Sequence, residues 1–174
     1  MLVARGIFQL AARRGVHTTR ILASTAPAAA DASSGDNLIL NFSLPAASIY
    51  RNKPVASVVI PGLAGEYGVT KNHSPVIAEL KAGVVQIVHE TGQAPEKFFV
   101  SGGFALTHAN SVTDIAVVEA AKLEDIDVEE VPKIYAEAMK DYNAAAEGSK
   151  EKVEAQIEVE VAKSLAGALG VALT

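Results

Sequence analysis

The chain has 174 residues, no Cys, 15 Lys+Arg and 20 Asp+Glu. That length holds one ordinary domain, or a small domain with an appendage, and the missing thiols exclude disulfides, Cys-ligated zinc, iron–sulfur clusters and thiol nucleophiles. The formal charge of −5 joins a +4 leader, whose residues 1–30 carry Arg5, Arg13, Arg14 and Arg20 with no acid, to a −9 body in which no basic cluster could neutralise the phosphates of a nucleic acid.

In the leader, Leu2, Ile7, Phe8 and Leu10 stand among the arginines with Ser, Thr and Ala around them, as in an amphipathic mitochondrial transit peptide. A secretory signal would need a longer apolar run than Gly6–Ala12. Residues 1–35 are therefore expected to be a transit peptide and linker, cleaved between His17 and Gly35, with the mature chain starting near Asp36. From Leu38 onward come nine alternating or β-branched runs: Leu38–Phe42, Ala47–Arg51, Ala56–Pro61, Tyr67–Thr70, Val76–Leu80, Gly83–His89, Lys97–Ser101, Phe104–His108 and Val112–Val118. Gly, Pro and Asn separate them, which predicts an antiparallel β-sandwich or flattened barrel over residues 36–120, joined mostly by hairpins. Beyond Glu119 the texture changes to Ala, Glu and Lys. Val131, Ile134, Ala138, Tyr142 and Ala145 follow helical spacing, as do Val153, Ile157, Val161, Leu165 and Leu169, with a stop and N-cap at Glu147–Gly148–Ser149. Pro132 and the alternation in Gln156–Val161 oppose the helices locally, but the flanking periodicity outweighs them. Residues 121–174 are thus expected to form an antiparallel two-helix hairpin, which is too small to stand alone and has to dock. The apolar tail Leu165–Leu173 is about half the roughly 20 residues needed to cross a bilayer, so no direct membrane insertion is expected.

The search for chemistry yields little. His17, His73, His89 and His108 are dispersed and form no local ligand pair, and strand ends make surface roles the default for His89 and His108. Gly62, Gly65 and Gly68 make G-x-x-G-x-x-G, which lacks both the dinucleotide fingerprint and the Lys-Ser/Thr of a P-loop; turns in an all-β region explain it. Ser101-Gly102-Gly103-Phe104 is not a nucleophile elbow and is better read as a place where a neighbouring backbone approaches closely. Glu124, Asp125, Asp127, Glu129 and Glu130 precede a helix, where the dipole favours negative charge, and lack calcium-loop spacing. No catalytic, metal or cofactor set assembles. The residues alone describe an organellar β-sandwich with an α-hairpin that works as a binding or assembly part.

One ordered series says more: G-E-Y-G-V-T-K-N-H-S-P over residues 65–75, L-K-A-G-V-V over 80–85, K-F-F-V-S-G-G-F over 97–104, and the closing run Val112–Glu119. Each piece is weak, but in this order and ahead of an Ala-rich hairpin they resemble the delta subunits of mitochondrial F-type ATP synthase, counterparts of the bacterial and chloroplast epsilon subunits. The resemblance covers about residues 36–170. It implies a sandwich of about ten strands plus a two-helix hairpin, and a non-catalytic rotor subunit coupling the proton-driven c-ring to the gamma subunit. It further implies a peripheral position on the matrix side of the inner membrane. Its ring-facing edge maps onto Gly62–Pro75, making Glu66, Tyr67, Lys71, Asn72 and His73 candidate c-ring contacts; a face with Ser101, Gly102, Gly103 and Phe104 would meet gamma. The small mitochondrial epsilon subunit would sit across the sandwich–hairpin junction. Some bacterial relatives bind ATP through hairpin arginines, but no Arg follows Arg51 here. The bidentate guanidinium fork for phosphate is therefore missing, and no nucleotide site is expected. The hairpin should stay folded as a brace. The alternative that the residues leave open is a matrix sandwich that binds a ligand or escorts another protein.

Overall fold

The computed structural model describes residues 37–173, so the expected transit peptide and linker, residues 1–35, lie outside the described residues. Ten strands come first: β1 Leu38–Ser43, β2 Ser48–Val55, β3 Ser57–Gly62, β4 Gly65–Thr70, β5 Val76–Leu80, β6 Gly83–Val88, β7 Glu96–Val100, β8 Gly103–Thr107, β9 Val112–Val117 and β10 Ala120–Lys122. Each run read from sequence falls on a strand. Strand β10 has no counterpart among them because Ala-Ala-Lys carries no alternation, and the expected domain boundary at residue 120 falls inside it.

The strands form one sheet in the order β10-β7-β6-β3-β5-β8-β9-β1-β2, with β4 paired to β3 outside that path. Hairpins join β1–β2, β3–β4, β6–β7 and β8–β9. One pair departs from the expected antiparallel sandwich: β1 and β9 run parallel. Asn41 and Asp114, partners across that pair, are 73 residues apart, so no tight turn imposes an antiparallel arrangement. The sheet curls around a single core in which Leu38, Leu40 and Phe42 of β1 meet Val58, Ile60, Ile87, Phe98 and Ile115. Period-2 alternation puts them there, and Phe42 and Phe98 meet edge to face at 5.4 Å.

Side chains close the seam between the two ends of the sheet. Glu96, at the start of β7, accepts a hydrogen bond from the Tyr50 hydroxyl of β2. Its carboxylate also lies 2.9 Å from His89 Nε2 and 2.9 Å from Lys122 Nζ of β10. Burial alone would raise the Glu96 pKa, but the bonds from Tyr50, His89 and Lys122 outweigh it and hold the carboxyl at about 2. Burial, and then the Glu96 carboxylate, push the Tyr50 phenol far above its ordinary value.

After β10 a 3-10 turn, Leu123–Asp125, leads to helices α1 Val131–Ala144 and α2 Lys150–Leu169. Pro132 sits in the first turn, where its missing N–H is no loss. Gly148 turns the chain at φ +75°, and Ser149 Oγ accepts from the Lys152 N–H at 3.2 Å. The α2 residues expected to make one stripe do not share a face. Each i→i+4 step overshoots a full turn by about 40°, so Val153 and Ile157 stay 55% and 56% exposed while Val161 and Leu169 rotate toward the sandwich. The buried face is built instead from Ala155, Val159, Ala162 and Ala166, with Val131 and Ala138 of α1. Lys152 over Tyr142 at 4.9 Å and Lys163 over Tyr135 at 6.0 Å bridge the two helices. Helix α2 also packs on β6, which docks the hairpin.

Replacing Glu96 by Gln should cost about 2 kcal/mol at neutral pH, since hydrogen bonds to a charged group are lost. The Glu96 pKa lies below its unfolded value, so this stabilisation is complete above about pH 5 and disappears as pH falls from about 4.5 toward 2. Urea unfolding of the two proteins should converge over that interval; curves that stay apart to pH 2 would remove Glu96 as the source. Gly103 makes a second test, because at φ +154° an added Cβ would lie 2.2 Å from the Ala116 carbonyl oxygen. Gly103→Ala should destabilise the isolated subunit by about 3 kcal/mol or more in the same assay.

Candidate functional site

The glycine series Gly62–Gly68 is a hairpin device. Gly62 pairs with Gly65 across a two-residue turn, a Cβ on Gly62 would come within 2.9 Å of the Gly65 carbonyl, and Gly65 adopts φ +136°. The turn projects Leu63, 62% exposed, from the end of β3. Glu66 and Tyr67 follow at the start of β4; Lys71, Asn72 and His73 lie in the connection after its end.

The chain then folds back, bringing the Tyr67 and His73 rings to 6.4 Å between centroids. Both line a concavity of about 580 Å³ between β4 and β5, walled also by Leu63, Val76, Ile77 and Glu79. The Tyr67 hydroxyl is buried there with no hydrogen-bond partner among the described residues, and burial pushes its pKa up. His73 Nδ1 lies 2.8 Å from the Ser74 carbonyl, which places the proton on Nδ1. Glu66 points to solvent. Asn72 differs from its neighbours: at φ +62° its backbone N–H donates to Ser111 Oγ at 3.0 Å, tying it to the β8–β9 turn.

The second candidate group divides by role. Gly102 and Gly103 are required by packing against the Leu80 and Ala116 backbones, as the close-approach reading anticipates. Phe104 alone among the four presents a large side chain, 54% exposed. Register sets its neighbours: Glu79 is opposite Phe104, Ile77 opposite Leu106, and Phe104 opposite Ala116. Ile77, Phe104, Leu106 and Ala116 therefore share one outer face of β5, β8 and β9. Ile77, at 76% exposure, is absent from the sequence-derived candidates. The alternation Val76, Ala78, Leu80 already places it with Glu79 on the solvent side.

A third surface lies at the sandwich–hairpin junction. Leu44, Pro45, Ala47, Phe99, Val118, Ala120 and Val161 line an apolar concavity of about 660 Å³ between the β1–β2 connection, β7, β10 and α2. No sequence pattern marks it, because its residues come from four separate segments.

Among the described residues no group of His, Asp and Glu could hold a metal ion. The acids before α1 act locally: Asp127 Oδ1 accepts from the Glu129 N–H at 3.0 Å, and Glu130 pairs with Lys133 at 2.6 Å. His108 bonds Asp114, which also holds Asn41, on the sheet surface. His89, expected at the surface, is instead part of the Glu96 seam.

Residues 37–122 match the family described as ATP synthase, Delta/Epsilon chain, beta-sandwich domain. The mitochondrial ATP synthase subunit delta of Yarrowia lipolytica is 38% identical over 164 residues, covering 94% of this chain and 96% of that protein. The corresponding subunit of Agaricus bisporus is 44% identical over 135 residues, 77% of this chain and 81% of the relative. Among solved structures, a chain of the Euglena gracilis mitochondrial ATP synthase, determined as an OSCP/F1/c-ring assembly, superposes with a TM-score of 0.72 at 30% identity, covering 78% of this chain and 82% of that one. Likeness of this extent, spanning sandwich and hairpin together, makes the chain a member of the mitochondrial ATP synthase delta-subunit family.

Proposed function

We propose that this chain is the non-catalytic rotor subunit that couples rotation of the proton-driven c-ring to gamma, and through gamma to ATP synthesis in the catalytic head. The observation that carries the reading is its likeness, along nearly its whole length, to mitochondrial delta subunits. It acts as a peripheral component on the matrix side of the inner membrane; among the described residues no helix is long and apolar enough to cross a membrane. The alternative, a matrix ligand-binding or escort sandwich, is not supported, since the relatives are ATP synthase subunits.

Three surfaces supply the partner sites of this reading. The loop surface beside the β4–β5 concavity, with Glu66, Tyr67, Lys71, Asn72 and His73, faces polar loops of the c-ring. The face carrying Phe104, beside Ser101, Gly102 and Gly103, lies against gamma; Ile77 and Leu106 extend its apolar strip. The junction concavity takes the small epsilon subunit, whose apolar side chains would be removed from water against Leu44, Phe99 and Val161. The leader, residues 1–35, serves as the mitochondrial address.

Depleting the chain from mitochondria should uncouple ATP hydrolysis from proton movement or dismantle the rotor; a fully coupled enzyme without it would overturn the proposal. Glu66→Lys or His73→Asp should lower ATP-driven proton pumping while the isolated subunit keeps its melting temperature. A variant that unfolds instead would make its residue structural. Adding millimolar ATP to the purified subunit should leave its melting temperature unchanged, because no guanidinium is present on the hairpin.

A further inference from the structure

We infer that Ser111 is the positioning residue of the ring-facing loop, acting through Asn72; the inference rests on the assignment of that loop to the c-ring. Ser111 belongs to the turn between β8 and β9 and lies 39 residues from Asn72 in sequence. It is one of three buried polar residues among those described, the others being Thr107 and Thr113, and is only 4% exposed. Its hydroxyl serves in both directions. Oγ accepts from the Asn72 backbone N–H at 3.0 Å and donates to Asn72 Oδ1 at 3.3 Å.

The backbone of Ser111 is fixed as well. Its N–H donates to the His108 carbonyl, and its own carbonyl accepts from the Ile39 N–H at 2.9 Å. One residue thus ties the start of β1, the β8–β9 turn and the β4–β5 loop. Both Ser111, at φ +61°, and Asn72, at φ +62°, hold the left-handed conformation that side chains disfavour. Two such residues facing each other are retained where surrounding bonds over-determine them.

The consequence falls on the loop. With Asn72 tied to the β8–β9 turn, the next residue, His73, is held beside Tyr67, and the concavity between β4 and β5 keeps its outline. Asn72 is then the pin of this surface, while Tyr67 and His73 line its concavity. Partner affinity depends on such pre-organisation, because a loose loop has to be ordered on binding.

The decisive variant is Ser111→Gly. Glycine accepts φ above zero without strain, so the turn survives while the hydroxyl is removed. In the isolated subunit the melting temperature should hold or rise, and hydrogen exchange at the Asn72 amide should accelerate about fivefold, as for loss of one hydrogen bond. In the assembled synthase the hydrolysis rate should stay unchanged while protons pumped per ATP fall. Asn72→Gly, which keeps the N–H donor and loses only Oδ1, should show a smaller version of both effects. Unchanged exchange in Ser111→Gly would overturn the clip. Faster exchange with pumping intact would overturn the loop's assignment to the ring, and with it the positioning role. Should Ser111→Gly fail to fold, Asn72→Gly decides the matter: faster loop exchange with lowered pumping supports the inference, and the absence of either effect overturns it.

Discussion

Glu96 sits where the two ends of a curled ten-stranded sheet approach, and that closure is what the remaining surfaces depend on. Backbone pairing along the main path runs from β10 round to β2 and stops there, leaving an edge at each end. The edge at β2 is covered by exposed Arg51, Asn52, Lys53 and Pro54, residues that discourage pairing with another chain. What spans the gap is one carboxylate bound by Tyr50, His89 and Lys122, above an aromatic floor of Phe98 with Phe42 and Tyr50 against its ring. Lys122 is the last residue of β10 and immediately precedes the turn that leads to the hairpin. The same ion pair therefore fixes sheet closure and the point at which the helices leave. A part that transmits torque has to resist shear, and a seam held by a charged, partly buried network resists it better than two free edges.

The helical hairpin answers to a different constraint. Its buried face is mostly alanine, so the helices approach closely with little side-chain entropy to lose, but each buried residue contributes little apolar area. Lys–Tyr stacking and packing on β6 supply what the small core lacks. Charge follows the same division. The sandwich, residues 31–118, holds 5 bases and 7 acids, whereas residues 119–174 hold 6 bases and 13 acids. A nearly neutral body suits a part enclosed between partners; the acidic helices keep their outer faces hydrated. Without arginine the hairpin cannot copy the phosphate clamp of nucleotide-binding relatives, which fits a brace.

Strand positions were legible because alternation of large apolar residues is a local property, and Leu38–Phe42 or Gly83–His89 carry it plainly. The helices were legible for the same reason, as were the Ser149 cap and the Gly148 stop. The α2 stripe was misread because an i,i+4 series looks straight in sequence and spirals in space. The turn role of Gly62 and Gly65 was readable from composition, and the crowding at Gly102–Gly103 from the sheet context. The apolar strip on β5 and β8 was half legible: Phe104 stood in a motif, whereas Ile77 had only its phase within β5.

Sequence by itself determined nine of the ten strands and both helices, their boundaries to within a turn, the absence of thiols from the chain and of arginine from the hairpin, and the resemblance that names the family. These are properties of residues near one another in the chain, where periodicity, capping and composition act directly. Tertiary structure alone decided the parallel β1–β9 pair, the Glu96 seam, the Ser111–Asn72 clip and the junction concavity. Each joins residues tens of positions apart, and no local pattern encodes which of many distant polar groups a buried carboxylate or hydroxyl will meet once the sheet has curled.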